Sequence, residues 1–369
     1  MIQNDDIQKT FEQMVAIDSP SLQEREMAEF ITKLFSEIGI SLSEDDSAKV
    51  TGSTAGNLYG YIPGGGKKAP LLLSAHMDTV QPACGKKAVV AQDKTVRSDG
   101  TTVLGADDFA GLTEIYHAVK YLKENNKTHR DIELLFTVGE ELYGKGVKAF
   151  DCSKLKAKSA YVLDLSGEIG LAAYAAPTIL SFCASVKGRS AHAGFCPEDG
   201  VNAILAVSNA ISKLPQGKVD AQTSANIGMI SGGQGVNIVS EKCMVRGEIR
   251  SLKHEAAVSL AERYREVFEK EAQMLGATLE WDVTVDIRAY ETNTDSTVVR
   301  EYKEAVQEVG MEARLLKTFG GSDNNVLSEH GIEGLVIANS MNQVHSCQEY
   351  TSIFEMNKVV EILISLLEE

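Results

Sequence analysis

Between Pro70 and Val80 the chain reads P-L-L-L-S-A-H-M-D-T-V. Leu71, Leu72 and Leu73 leave no polar face, so the run suits a strand covered on both sides, as in a parallel sheet with helices on its faces. It leads straight into His76 and Asp78, and ligands of such sheets bind beyond the carboxyl ends of the strands. Side chains two apart on an extended segment point the same way. Asp78 is therefore expected to reach the His76 imidazole, fix its tautomer and raise its basicity toward a metal. An H-x-D pair at a strand end is ordinary by itself, and its weight depends on what the other strand ends carry.

Strand-like runs also occur at 57–62, 132–138 and 160–165, with a helical pattern over 107–125 between two of them. Two amphipathic helices precede them: Ile7, Phe11, Met14 and Val15 fall at helical spacing, as do Met27, Phe30, Ile31, Leu34, Phe35 and Ile38. This alternation predicts an α/β fold, a mixed and mostly parallel sheet flanked by helices. After Pro177 the texture changes. Strands at 179–186, 225–230, 242–249 and 278–287 and helices at 200–214 and 254–275 form a compact α+β unit of their own. Helical and strand patterns resume at 296–309, 335–338 and 354–367. The predicted organisation is a first domain in two segments, 1–177 and 289–369, with an inserted domain over 178–288.

The formal charge of −16 excludes a chain built to bind nucleic acid or an anionic membrane, both of which need dense Lys and Arg. No segment approaches the apolar length that crosses a bilayer. The N-terminal stretch M-I-Q-N-D-D lacks a basic and apolar leader, and the six cysteines show no C-x-x-C pair. The expected compartment is the cytoplasm, with reduced thiols.

The chemistry-bearing residues cluster at the predicted strand ends. Asp107 and Asp108 open the helix in V-L-G-A-D-D-F-A-G-L, where acidic residues also serve as ordinary caps. Glu140 and Glu141 follow a buried strand in F-T-V-G-E-E-L-Y-G-K-G; adjacent glutamates there repel unless a cation or a shared proton compensates. That stretch is a near miss to a phosphate-binding loop, but Gly146 stands where Ser or Thr is needed and the interior is acidic. Asp164 ends Y-V-L-D-L, and His345 lies in the polar stretch N-Q-V-H-S-C. Oxygen and imidazole ligands thus converge on one rim of one sheet.

The series A-H-M-D-T-V, G-A-D-D-x-A-G, G-E-E-x-x-G-x-G, V-L-D and V-H, in this order, resembles the co-catalytic zinc peptidases that include peptidase T, carboxypeptidase G and aminoacylase. The stretches G-T-T-V-L-G-A-D-D and G-R-S-A-H-A-G-F-C-P-E-D-G are most similar to the peptidase T group. The resemblance spans essentially the whole chain. It implies two Zn²⁺ per subunit, with cobalt or manganese as alternatives: Asp107 would bridge the ions, His76 and Asp164 would complete one site, and Glu141 and His345 the other. Glu140 would be the general base and Asp78 the orienter of His76. The inserted domain would be a ferredoxin-like dimerisation or lid domain joining a homodimer. Within it His192 would polarise the substrate carbonyl, typically across the dimer interface, and Arg250 would take a substrate carboxylate. Asn237 and the F-G-G-S-D-N loop with Gly321 would make further substrate contacts.

The implied activity is hydrolysis of short peptides by an exopeptidase such as a tripeptide aminopeptidase. Deacylation of N-acyl amino acids is the alternative, and a non-catalytic metal- or peptide-binding relative is a third. Two departures from the family pattern stand out: Phe109 replaces the lysine that commonly follows the Asp pair, and the 78–107 stretch is shorter than in peptidase T.

Overall fold

The computed structural model describes residues 3–369. The chain divides into two compact units. One gathers the chain up to Ala175 with Glu291–Thr318 and Ser322–Glu369, and the other comprises Ala176–Tyr290 with Phe319–Gly321.

In the first unit Leu71–His76 lies at the heart of the sheet, parallel to Ile132–Thr137 on one side and to Ser159–Leu165 on the other. Glu333–Ala338 adds a further parallel strand beyond Ser159–Leu165. Leu58–Ile62 and Leu42–Glu44 continue the opposite side antiparallel. Every residue of Leu71–His76 and Ile132–Thr137 is buried, as an apolar run without alternation requires. Each of the three leucines stabilises the fold by roughly 1.5–3 kcal/mol.

The helix Ala106–Glu124 packs against Leu71–His76 and Ser159–Leu165, and the helices Asn4–Val15 and Ile353–Leu367 pack on it in turn. It is buried on nearly every side from Ala106 to Val119, which explains its small residues. A Cβ at Gly111 would fall 2.3 Å from Asp108 Oδ1 and 2.9 Å from Leu163. The glycine of G-A-D-D-F-A-G is thus what lets this helix approach the strand that carries Asp164.

The second unit is a five-stranded sheet in the order Gly217–Lys218, Thr223–Gly232, Lys242–Ser251, Thr178–Lys187, Thr278–Ile287. Its pairs are antiparallel. Helices Ala203–Ile211 and His254–Met274 pack on it, over a core that includes Phe182, Val245, Ile249, Tyr264 and Phe268. The helix expected from 200 begins at Ala203 because the Asn202 side chain caps it, accepting from Leu205 N at 3.1 Å.

Several elements escape a reading of periodicity. Leu171–Ala176, L-A-A-Y-A-A, is alanine-rich and lacks β-branched residues, yet pairs with Glu333–Ala338 and Arg314–Lys317. Ala88–Val90, Thr95–Ser98 and Tyr350–Ser352 form a small antiparallel sheet of strands too short to show a period. Residues 319–321, expected with the first domain, group with the second unit, where Gly321 lies against Ile287 so closely that a Cβ would fall 2.1 Å from its Cδ1.

His117 on the long helix is 3 % exposed, and its Nε2 lies 3.0 Å from Thr10 Oγ1. Burial and, after it, the charge of Lys120 push this imidazole down to about 4, against about 6.5 when unfolded. From pH 6.5 to 4 the unfolded chain takes up a proton that the native chain refuses. Stability from this group is therefore full above the unfolded value and falls on acidification through that window, by up to about 1.4 kcal/mol per pH unit. Urea titrations across that range should show a shallower acid loss for His117→Gln than for the parent; parallel curves would refute the assignment.

Candidate metal centre

Neighbouring parallel strands hand over to ligand-type residues at the same edge. His76 closes Leu71–His76, Asp164 is the next-to-last residue of Ser159–Leu165, and Glu140 and Glu141 begin a short 3-10 turn, Glu140–Leu142, just after Ile132–Thr137. Gly139 enters that turn at φ 59°, a left-handed conformation that glycine adopts without strain. Asp107 has a non-helical backbone (φ −84°, ψ 97°) inside the start of its helix, and the Asp107–Asp108 peptide is cis.

Two histidines share the Asp107 carboxylate. Oδ1 lies 3.0 Å from His76 Nε2, and Oδ2 lies 3.2 Å from His345 Nε2. His345 Nε2 is also 3.1 Å from Glu141 Oε1. The ligand atoms of His76, Glu140 and Asp164, and those of His76, Asp107 and Glu141, form two groups whose members lie within 4.8 Å of one another. All the first-unit residues singled out in the sequence, His76, Asp78, Asp107, Glu140, Glu141, Asp164 and His345, therefore meet at one edge of one sheet.

The electrostatics are those of crowded acids. Burial and then the Asp107 charge push Asp164 well above the usual carboxyl range; burial and then Asp164 do the same to Glu140. Burial would also raise Asp107, but His345 and His76 hold it below the ordinary range. Hydrogen bonds to the Asp107 and Glu141 carboxylates raise His345 to about 11.

The residues fit a cation on a separate ground. His76 Nδ1 is 2.9 Å from the Asp78 carbonyl oxygen, which can only accept, so Nδ1 carries a proton. In the neutral ring Nε2 then aims a lone pair at the Asp107 carboxylate. Either the ring is an imidazolium or a cation sits between the two, and nitrogen and carboxylate donors suit a divalent transition ion.

Asp78 reaches His76 as the sequence suggests, and does so twice: its carboxylate stands 3.4 Å from Nδ1, and its carbonyl oxygen lies closer, at 2.9 Å. The same carboxylate also accepts from Glu140 N at 2.9 Å and Ser21 Oγ at 2.7 Å, with Glu141 N at 3.4 Å. One residue thus fixes both His76 and the glutamate turn.

Two of the remaining supports, Glu349 and Glu24, had no sequence signal. Glu349, 1 % exposed, accepts from Leu104 N (2.7 Å), Gly105 N (2.8 Å) and Asp107 N (2.9 Å), and burial raises it to about 7. Asp108 does not face the cluster: its oxygens accept from His76 N at 3.0 Å and Asn339 Nδ2 at 2.6 Å. Glu24 accepts from Gly139 N at 2.9 Å. Phe109 is buried, and the Lys86 ammonium stands 5.3 Å from its ring centroid while donating to the Ile17 and Ala83 carbonyls at 2.7 and 3.0 Å. A neighbouring cation exists, then, without a lysine after the Asp pair.

The remaining singled-out residues belong to the second unit. His192 bridges Ile238, and Ala193 N donates to the Asn237 carbonyl at 3.0 Å, so His192 and Asn237 lie on paired stretches. Arg250 Nη1 donates to the Phe319 carbonyl at 2.8 Å, beside Gly321. Its remaining fork is taken by Glu248, with Nε to Oε1 at 2.8 Å and Nη2 to Oε2 at 3.1 Å. A second carboxylate would have to share or displace Glu248.

Comparison with known proteins gives a consistent picture. Residues 174–274 match the family description "Peptidase dimerisation domain" of the M20 peptidases, and residues 57–172 match "Peptidase family M28". The uncharacterized protein YqjE of Bacillus subtilis is 37% identical over 369 residues, 100% of this chain and 99% of that protein. The crystal structure of aminopeptidase PepT from Bacillus cereus superposes with a TM-score of 0.92 at 36% identity, covering 99% of this chain and 98% of that one. A tripeptidase structure from Staphylococcus aureus superposes at 0.96 with 32% identity, covering 100% and 98%.

Glu349 offers a test of how Asp107 is held. Replacing it with Ala removes the acceptor for three buried amides, and metal affinity should fall about 10–100-fold, the usual effect of losing a ligand's support. Calorimetric titration of the metal-free variant would show it; an unchanged affinity would mean that Asp107 is positioned without Glu349.

Proposed function

The chain belongs to the peptidase T-like members of the M20 metallopeptidases, and from that premise we propose how it acts. It is a metal-dependent exopeptidase of short peptides, with tripeptides cleaved at the amino end as the preferred substrate class. The observation that carries the reading is the Asp107 carboxylate, whose two oxygens face two different imidazoles, His76 and His345. That arrangement supports a pair of divalent ions, zinc by donor chemistry with cobalt or manganese as alternatives. His76, Asp107 and Asp164 would hold one ion, and Asp107, Glu141 and His345 the other.

Bound there, the metal pair would lower the pKa of water from about 15.7 to about 7 and polarise the peptide carbonyl. The rest falls to the chain. Glu140 receives the proton of the attacking water and passes it to the leaving amine, a role worth roughly 10²–10⁴ in rate. Burial and, after it, the Asp164 charge raise its pKa, the direction that favours a carboxylate able to hold the proton it has taken. Asp78 keeps Glu140 in register with His76 through the bonds described above. In the second unit, His192 would donate to the substrate carbonyl and Arg250 would take the peptide carboxylate, exchanging part of its pairing with Glu248; Asn237 and the Gly321 loop would border the bound peptide.

A homodimer through the second unit is part of the reading. Among the described residues, no strand pairs with the outer edge of Thr223–Gly232 beyond Ala225, since Gly217–Lys218 meets only Ser224 and Ala225. Met229 and Ile230 on that strand and Ile204 and Leu205 on the helix Ala203–Ile211 are exposed. An open edge beside apolar side chains is what a second copy could cover. No helix among the described residues is long and apolar enough to cross a membrane, and we place the enzyme in the cytoplasm.

A panel of tripeptides, dipeptides and N-acyl amino acids separates peptidase from deacylase: tripeptides should be cleaved fastest, and faster turnover of N-acyl amino acids would favour the alternative. Glu140→Ala should keep its metal content, measured by elemental analysis, while hydrolysis falls by 10²-fold or more. Loss of metal together with activity, or retention of both, would contradict the role given to Glu140.

A further inference from the structure

The loop around His192 is ordered by its own imidazole. Residues 189–193 lie along the 237–239 stretch: Val239 N donates to the Ala191 carbonyl at 2.9 Å, and Ala193 N to the Asn237 carbonyl at 3.0 Å. Past Ala193 the chain folds back. Gly194 N and Phe195 N both donate to His192 Nδ1, at 3.1 and 3.2 Å. An amide can only donate, so Nδ1 is an acceptor and the proton of the neutral ring sits on Nε2, the atom left to meet a substrate oxygen.

The same turn carries Phe195 onto the face of that imidazole. The two rings stack with centroids 4.3 Å apart and 30° between planes. Phe195 is nonetheless 85 % exposed, and nothing in its own unit covers its outer face. Val236 and Ile238, also exposed, flank Asn237 on the facing stretch. A large apolar ring held this firmly in water gives up its transfer energy unless something comes to cover it.

We propose that Phe195 is a specificity-determining residue, whose ring packs on the peptide side chain next to the cleaved bond and selects bulky apolar residues there. The inference rests on the reading of His192 as the donor to the substrate carbonyl. An oxygen bonded to Nε2 at about 2.8–3.0 Å comes close to a ring stacked on the same imidazole. The side chain one or two bonds from that carbonyl is then the substrate atom group nearest Phe195. Because Phe195 N, not its ring, makes the bond to Nδ1, truncating the side chain removes the apolar wall and leaves that hydrogen bond available.

The test compares kcat/KM for tripeptides that differ only in the residues flanking the cleaved bond, Gly against Leu or Phe. In Phe195→Ala the ratio of apolar to glycine substrates should fall about tenfold, the scale on which one apolar contact discriminates, and Phe195→Leu should recover part of it. His192→Ala should depress every substrate alike. A ratio unchanged within twofold in Phe195→Ala overturns the inference. So does a change of oligomeric state in that variant by light scattering, which would make the ring a contact between copies. A parent enzyme that cleaves no peptide of the panel overturns the underlying reading itself, an outcome distinct from an active parent whose variant loses all substrates equally.

Discussion

The structure turns on the placement of Asp107. Its carboxylate lies within 4.8 Å of ligand atoms of His76 and Glu141, with Glu140 and Asp164 grouped around the same His76, and it divides its oxygens between two imidazoles. Two like charges about 4 Å apart cost on the order of 4 kcal/mol at an effective dielectric of about 20. Several carboxylates around one spot are therefore stable together only with protons or cations among them. The protein invests much of its polar framework in holding this frustrated arrangement in place: Glu349 grips the backbone before Asp107, Asp108 and Asn339 tie the helix start to the His76 strand, and Asp78 locks the glutamate turn. A cluster that would fly apart by itself is thus preformed for a cation.

The sheet supplies the geometry for free once its order is set. Because Ile132–Thr137, Leu71–His76 and Ser159–Leu165 run parallel as neighbours, residues far apart in sequence emerge at the same edge. Gly111 lets the buried helix lie tight against the third of these strands, which brings Asp107 within reach of the strand ends. Close packing and ligand placement are therefore one problem, and small residues solve it.

How much of this could be read beforehand follows from the kind of signal involved. Long apolar runs and helical periods announce the central strands and the main helices, since burial dictates residue type at every position. Leu171–Ala176 and the strands of three or four residues carry no such period and are strands only because a neighbour pairs with them. The cluster was legible because each member follows an apolar run at a strand end or sits in a motif of its family. Glu349 and Glu24 were not, because a carboxylate that binds backbone amides has no sequence pattern; its partners are main-chain groups that every residue possesses. The same blindness hides the second contact of Asp78, whose carbonyl oxygen joins its carboxylate at His76 Nδ1, and the pairing of Arg250 with Glu248, two charges two residues apart on one strand.

The proposal rests on Asp107 as the residue that would be shared by two metal ions beside Glu140. Crystals of the protein grown with zinc, with diffraction recorded on both sides of the zinc absorption edge, address it directly. The account predicts two anomalous peaks about 3.5–4 Å apart, one on each oxygen of Asp107, with His76 ligating the first and His345 the second. A single peak, or peaks away from Asp107, would contradict it.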